Sequence, residues 1–364
     1  MEIKKLKEEI KQIKDPRRRY GNLRHNLEAI IVIGLLTIIC IGEDFTDMES
    51  FGKEREEWLK TFLELPNGIP HSDTFRRVFE RINPNELTKC LNNWLDFSRE
   101  KGEIVNIDGK TIRGSANDEH KAYHVVSAWV AENQITLGEI KTAEKSNEIT
   151  AIPELLEMID VEESIVTIDA MGCQKNIVKS ICENKADYVI GLKGNQENLL
   201  KSATECFINT TIAPQNIVIK ENGHGRKEIR EYFLITDIEN VAKATDWVNF
   251  NAIGAVKSTV LKNNNWYEET RYFITSLTNI DDFAYAVRKH WSIENQLHWR
   301  LDVVFREDSA KAKKDNSPLN LNVLRKVALS LLGKADLGRI GLRKKMFKAA
   351  LNISVLEFIL CGKK

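Results

Sequence analysis

The first hundred residues carry apolar side chains at the spacing of helices. A periodic apolar stretch from Leu27 to Ile41 is flanked by polar residues and is too long for one strand, which predicts a buried core helix. Its most apolar part, Ala29 to Gly42, has 14 residues, whereas a membrane span needs roughly 18. We therefore expect residues 1–100 to form a helical N-terminal domain, and we expect no contact with a membrane.

From residue 103 the pattern changes to that of strands. Three β-rich runs at 104–108, 123–130 and 134–140 are separated by turns, and strand-like runs at 164–169 and 186–192 each follow a helical segment. The order βββαβαβ predicts a mixed five-stranded sheet: a meander first, and then strands that arrive through helical crossovers. Residues 103–196 would form the first part of an α/β core.

This pattern is interrupted over residues 197–271. A helix at 197–207 is followed by strand-like runs and by a hairpin that turns at Asn263–Asn265, which predicts a separate β-rich insertion. A long amphipathic helix over 281–305 comes next, and residues 272–310 would complete the core. Its core side is predicted from Val287, Trp291, Leu301 and Val304. Residues 311–364 read as a basic helical tail.

The overall charge is balanced but unevenly distributed. The chain has 364 residues with 53 Lys+Arg and 53 Asp+Glu, yet residues 1–24 carry a net charge of +5, residues 309–364 carry +10, and the middle carries −15. The basic ends fit a negatively charged partner, most commonly nucleic acid; ordinary solvated helix faces explain them equally well. The six cysteines form no C-x-x-C pair, which predicts reduced thiols in the cytoplasm.

Two strand segments echo each other, each ending in an aspartate. Asp108 closes Ile-Val-Asn-Ile-Asp, and Asp169 closes Ile-Val-Thr-Ile-Asp. In parallel neighbouring strands, about 4.8 Å apart, the two carboxylates would emerge side by side at the edge where α/β sheets bind ligands. A cation such as Mg²⁺ or Mn²⁺ would relieve their repulsion. The alternative is that each aspartate only caps a turn, but the matched pair favours the metal.

The helix at 281–305 offers a third acid. His290, Glu294 and His298 share one face at spacings of four residues, and a buried Glu on that face would need a partner. A metal held by the two aspartates could be that partner, as could an ordinary His or Arg side chain. Asp302, Glu307 and Asp308 compete for the same role; we assign it to Glu294 and expect Glu307 and Asp308 to be structural.

Five motifs in order then resemble a known family. They are VNIDGKTIRGS from Val105, VTIDA from Val166, YVIGLKGNQ from Tyr188, HGR from His224, and HWSIENQLHWRLDVVFRED from His290. Together they resemble bacterial insertion-sequence transposases of the DDE class, in the branch of the H-repeat-associated proteins. The N-terminal stretch GIPHSDTFRR from Gly68 is similar to the helical accessory domain of that branch, so the resemblance covers nearly the whole chain.

The resemblance implies an RNase H-like core, a mixed five-stranded α/β sheet with flanking helices and a β-rich insertion before the last acid. It gives Asp108, Asp169 and Glu294 the catalytic and metal-binding roles. Such a core uses two divalent cations, Mg²⁺ or in its place Mn²⁺, to activate water and then a DNA 3′-hydroxyl for attack on phosphodiesters. The implied function is a transposase that cuts at the ends of an insertion sequence and joins them to target DNA.

The resemblance also implies double-stranded DNA as the partner, both terminal inverted repeats and target, with two copies of the chain in the complex. The wider superclass often places Tyr, Arg and Lys around its Glu, where this chain has Val287, His290 and Leu301. We therefore expect the DNA contacts to come from polar residues of this helix and of turn-like segments: Lys110, Arg113, Lys193, Asn195, Gln196, His224, Arg226, His290, His298 and Arg300.

Two alternative functions stay open at this point. One is a catalytically inactive DNA-binding remnant of a transposase, which would keep the fold and the basic ends. The other is a metal-dependent nuclease that does not transfer strands. The complete set of three acids argues against the remnant without excluding it.

Overall fold

The computed structural model describes residues 3–17, 23–95, 100–142, 148–209, 213–223, 226–239, 241, 244–262 and 265–361. The N-terminal region is helical, as predicted. Its helices are α1 (Ile3–Ile10), α2 (Leu27–Ile39), α3 (Phe45–Glu54), α4 (Glu56–Lys60), α5 (Ser72–Phe79) and α6 (Pro84–Leu95). The apolar helix α2 is buried at every position except Glu28, because its run of Ile, Leu and Val leaves no polar face to hydrate.

The predicted mixed α/β class and the five predicted strands are confirmed. The strands are β1 (Ile104–Ile112), β2 (Tyr123–Val130), β3 (Ile135–Thr142), β4 (Ile165–Ile168) and β5 (Asp187–Leu192). They lie in the order β3-β2-β1-β4-β5. The first three pair antiparallel as a meander, and β1–β4 and β4–β5 pair in parallel. The helices α7 (Glu148–Met158) and α8 (Lys175–Glu183) supply the crossovers that parallel pairing requires.

The sheet does not stop at five strands. After α9 (Glu197–Asn209), the insertion supplies β6 (Gln215–Gly223), β7 (Arg226–Ile235), β8 (Ala252–Lys262) and β9 (Asn265–Thr275). In the described part of the chain, these extend the same sheet to nine strands, because β9 pairs antiparallel with β5 from Val189–Thr275 to Leu192–Tyr272. The expectation of a separate β-rich insertion is thereby corrected. An unpaired β5 would have left a row of backbone groups without partners.

The predicted helix over 281–305 is present but not continuous. It comprises α10 (Ile280–Ser292), a π-helical segment at Ile293–His298 and α11 (Trp299–Val303). Asn279 caps α10 by accepting hydrogen bonds from the backbone N–H groups of Asp281 and Asp282. A π-helical turn takes more residues than an α-turn, so faces computed at about 100° per residue do not hold through this segment. Trp291, expected in the core, is 39% exposed.

The C-terminal region differs from a uniformly charged tail. Helix α12 (Ser317–Lys334) is buried along nearly its whole length and packs against α2, α6 and β3. Its cations are buried with acidic partners: Arg325 lies 3.4 Å from Glu307, and Lys326 pairs with Glu139. Helices α13 (Leu342–Leu351) and α14 (Ile353–Cys361) follow.

Two apolar cores hold these layers together. One lies between α7, α8 and one face of the sheet, and the other joins the N-terminal helices, α10 and α12 to the opposite face. The described helices include none that is both long and apolar enough to cross a membrane.

Candidate active site

The two strand aspartates lie on neighbouring strands. Ile107 and Ile168 pair in the parallel β1–β4 ladder. Asp108 and Asp169 each follow one of them in sequence, so both lie at the same end of that ladder. Asp108 lies within β1, which continues to Ile112, whereas Asp169 follows the end of β4. Both aspartates line one open cavity of about 600 Å³. The predicted adjacency of the two strands is therefore confirmed.

Glu294 lines the same cavity, although it is exposed rather than buried as expected. It is the second residue of the π-helical segment. Burial raises the pKa of Asp108 to about 7, and the carboxylates of Asp169, Glu148 and Glu294 add to this rise. The carboxyl groups thus share one electrostatic environment, where negative charge accumulates.

The carboxylates of this cavity are chemically suitable ligands for a divalent cation. Carboxylate oxygens are the ligands that Mg²⁺ and Mn²⁺ prefer, and a cation would relieve the repulsion that adds to the rise which burial causes in the pKa of Asp108. The side chains are not drawn together around a point, however. Within the described ranges, no group of three or more His, Cys, Asp or Glu residues is arranged so that it could hold a metal ion.

A buried polar network joins the two central strands to α10. Thr167 on β4 donates a hydrogen bond to Asn106 Oδ1 at 2.6 Å and contacts His290 Nδ1 at 2.9 Å. Asn106 donates in turn to the Lys289 carbonyl and to Ser292 Oγ, both at 3.2 Å. Asn106 precedes Asp108 by two positions, and Thr167 precedes Asp169 by two. The network therefore fixes α10 against the strands that carry these acids.

His298 lies beside Asp108 rather than at a DNA-facing surface. Its Nδ1 is 3.5 Å from Asp108 Oδ2, and only 12% of the side chain is exposed. Burial lowers its pKa to about 3, and the nearby Lys326 and Lys110 lower it further, so the ring is neutral. Its buried Nε2 has no hydrogen-bond partner among the described residues. The structure thus places His298 against Asp108, and its contact with DNA stays a prediction.

Lys110 is likewise turned inward. Its ammonium group lies 2.6 Å from Asp302 and 2.9 Å from Glu307, and 9% of the side chain is exposed. Glu307 is fully buried and also accepts a hydrogen bond from Asn322 at 2.7 Å. Burial alone would raise the pKa of Glu307, but Lys110 and Arg325 outweigh it and lower the pKa. The structure thus places Lys110 in ion pairs within the chain, and its contact with DNA stays a prediction. Glu307 lies in buried ion pairs with Lys110 and Arg325.

Other residues predicted to contact DNA donate hydrogen bonds within the chain. Arg300 bonds to Gln134 Oε1 at 2.9 Å. The Asn195 and Gln196 amides donate to the carbonyls of Ala170 and Cys173 at 2.7 and 2.9 Å, and so fasten the loop that follows Asp169.

Two predicted contacts face outward. Lys193 is exposed and lines the cavity, while Arg113 is 79% exposed. His290 also lines the cavity. His224 lies outside the described residues, as does the side chain of Arg226.

The sequence reading missed a buried pair beside Asp108. His124 on β2 and Glu148 at the start of α7 are joined at 2.6 Å. A Cβ at Gly109 would overlap the Glu148 carboxylate and lie 2.5 Å from His124 Nε2. The glycine after Asp108 was the signal that could have indicated this close approach.

A second missed cluster borders the cavity on the side of β9. The guanidinium of Arg271 lies 4.6 Å from the centre of the Trp291 ring and donates two hydrogen bonds to the Glu269 carboxylate. All three residues line the cavity with Glu294, so the insertion contributes one of its walls.

The sheet begins β3-β2-β1-β4-β5, with acids on two neighbouring central strands and a third acid on a helix packed against them. This arrangement defines an RNase H-like enzyme fold. The chain belongs to the DDE transposase family: the model of the transposase DDE domain matches residues 99–331. A second model, described as DDE_Tnp_1-associated, matches residues 7–95.

Curated relatives match over the full length. The chain is 37% identical over 376 residues to "H repeat-associated putative transposase YhhI" of Escherichia coli K12, covering 100% of this chain and 99% of the relative. It is 37% identical over 378 residues to "Putative transposase YncI" of Escherichia coli O157:H7, covering 100% and 96%. A cryo-EM structure of a piggyBac transposase synaptic complex with hairpin DNA aligns at a TM-score of 0.40 and 10% identity, over 99% of this chain and 77% of that one.

Proposed function

We propose that this protein is an active transposase that cuts DNA at the ends of an insertion sequence and joins the freed ends to target DNA. The observation that carries the proposal is that Asp108, Asp169 and Glu294 all line one open cavity of about 600 Å³. Three acids from β1, the end of β4 and the π-helical segment are a donor set that a structural role alone does not require.

In this proposal, Asp108, Asp169 and Glu294 would hold divalent cations, Mg²⁺ or in its place Mn²⁺. When bound there, the cations would activate a hydroxyl for in-line attack and stabilise charge on the phosphodiester. The chain's own part is to place the three carboxylates. The Asn106–Thr167–His290 network keeps α10 seated on the strands, and the Asn195 and Gln196 amides secure the loop after Asp169.

We propose double-stranded DNA as the substrate, with the terminal repeats and the target engaged in turn, in the cytoplasm. Lys193 and Arg271 line the cavity, where a positively charged side chain can contact a phosphate next to the reacting one. Two ends must be held together for joining, so the active complex would contain two copies of the chain.

We also propose domain boundaries that follow this function. Residues 1–100 would serve as an accessory DNA-binding unit, residues 103–196 and 272–310 as the catalytic core, residues 197–271 as the insertion, and residues 311–364 as a C-terminal unit.

The test uses the full-length protein with duplexes that carry the inverted repeats flanking its gene. We expect Mg²⁺-dependent nicking at the repeat end, followed by joining of the 3′-hydroxyl to a plasmid. Glu294→Gln, which keeps the shape of the side chain and removes its charge, should abolish both steps. Glu268→Gln is the matched control, because Glu268 is exposed on β9 and does not line the cavity.

The outcomes separate the three functions. Nicking without joining would identify a nuclease, and end binding without any cleavage would identify an inactive remnant. Normal cleavage by the Glu294→Gln variant would show that the third acid lies elsewhere.

A further inference from the structure

Helix α13 and the turn before it form a strongly basic surface outside the cavity. Residues 337–356 contain five Lys or Arg and no Asp or Glu. Lys345 points inward and donates to the carbonyls of Leu332 and Ala335 at 2.8 and 2.6 Å. The other four cations of this stretch are exposed: Arg339, Arg343, Lys344 and Lys348.

The two sides of α13 differ in chemistry. Met346 and Ala349 are buried on the side that packs against α12 and α2. The opposite side, which we call the basic face, exposes Arg343, Lys344, Phe347, Lys348 and Leu351. Among the described residues, no ion pair involves the three cations of this face. They therefore keep their full charge for a partner.

The charges of the basic face do not serve the stability of the folded chain. Arg343 and Lys344 lie in the first turn of α13, where the helix dipole disfavours positive charge. The consecutive cations of α12 contrast with them, since Arg325 and Lys326 are buried against acidic partners. A negatively charged partner would account for both the exposure of these cations and their unfavourable position in the helix.

The basic face is also held in place. At its start, Lys345 is bonded to the end of α12, and near its end Arg55 donates to the Ala350 carbonyl at 2.8 Å. A surface fixed at both ends loses little conformational freedom when it binds.

We propose that the basic face of α13 docks the phosphate backbone of duplex DNA away from the cleavage site, an inference that rests on the proposed function. The spacing agrees with this partner. At 1.5 Å per residue, Arg343 and Lys348 lie roughly 7.5 Å apart along the helix. Successive phosphates of one DNA strand lie about 3.4 Å apart along its axis, so a span of roughly 7 Å includes three of them. The exposed Phe347 and Leu351 lie beside the cations, where they can pack against sugars.

The test compares two triple variants of the full-length protein. Arg343→Gln/Lys344→Gln/Lys348→Gln removes the charges of the basic face. Lys101→Gln/Lys179→Gln/Lys185→Gln removes three exposed cations that are paired with Glu residues elsewhere on the protein. Binding of a fluorescent 40-base-pair duplex is measured by anisotropy over a series of salt concentrations without Mg²⁺, and circular dichroism verifies folding.

We expect the α13 variant to bind more weakly and to flatten the slope of log K against log salt by about 2.7, the value for three lost phosphate contacts. The control should keep the wild-type slope within about one unit. An unchanged slope in the α13 variant would overturn the docking surface, whether or not the wild type cleaves DNA. Missing Mg²⁺-dependent cleavage would contradict the proposed function alone. Phosphatidylglycerol vesicles are a further probe: loss of vesicle binding with an unchanged DNA slope would assign the face to a membrane and overturn the proposal.

Discussion

Thr167 on β4 and His290 on α10 lie 2.9 Å apart, and their hydrogen bond has one possible direction. The single hydroxyl proton of Thr167 is donated to Asn106 Oδ1, so Nδ1 of His290 must be the donor. Burial lowers the pKa of His290 to about 4, so the ring is neutral. The tautomer is thereby fixed, and Nε2 is left as an acceptor in a ring that lines the cavity.

Replacement of Thr167 should disturb both the fold and the reaction. In Thr167→Val, Asn106 Oδ1 and His290 Nδ1–H lose their partner in a buried place, which costs about 1–3 kcal/mol. Urea unfolding measures the stability, and nicking of end DNA measures the activity. Thr167→Ser keeps the hydroxyl and should retain most of both; equal losses in the two variants would mean that the methyl group, not the hydrogen bond, is what matters.

Glu307 and Glu294 should respond to the same substitution in opposite ways. Glu307→Gln leaves the buried Lys110 and Arg325 without their carboxylate, and a broken buried ion pair costs about 3–5 kcal/mol. Glu294→Gln should leave the free energy of unfolding nearly unchanged, because Glu294 is exposed. Both variants are compared by urea unfolding. A stable Glu307→Gln protein that fails to cleave would instead place Glu307 in the reaction.

Replacement of the two lysines predicted to contact DNA should have different effects on DNA binding. Lys193 is exposed at the cavity, so Lys193→Gln should weaken DNA binding and flatten the salt slope by about one unit. Lys110 is buried with Asp302 and Glu307, so Lys110→Gln should lower the melting temperature and leave the slope of the folded protein unchanged. A flattened slope for Lys110→Gln would support the original prediction for that residue.

Gly109 should tolerate no side chain. In Gly109→Ala the new methyl group meets the joined His124 and Glu148 side chains, and relieving such overlap typically costs about 1–3 kcal/mol. Differential scanning calorimetry should therefore show a lower melting temperature. Gly194→Ala is the control, because nothing lies within 4 Å of a Cβ at that position. Equal melting temperatures for the two variants would contradict the close packing beside Asp108.

Local patterns were sufficient to predict the central strands and their aspartates. The repeated strand-Asp segments predicted a metal site on the condition that β1 and β4 are parallel neighbours, and the structure shows that they are. The same patterns could not predict that β9 joins β5, because pairing between strands 80 residues apart in sequence leaves no local signal.

The sequence also failed where geometry departs from regular helices. The face shared by Glu294 and Leu301 assumed one continuous α-helix, and the π-helical segment at Ile293–His298 changes it. Trp291 lies before that segment, in α10, and its ring contacts Arg271 rather than the core. The inward position of Lys110 was not predicted for another reason. The strand was expected to end at residue 108, which placed Lys110 in a turn, whereas β1 continues to Ile112. Its partners, Asp302 and Glu307, lie almost 200 residues further along the chain.

The pairing of β9 with β5 has a mechanical consequence. Because β9 lines the cavity and is hydrogen-bonded through β5 and β4 to β1, the insertion and the two aspartates lie on one continuous sheet. Swinging the insertion away from the aspartates would require breaking the ladder of backbone hydrogen bonds between β5 and β9.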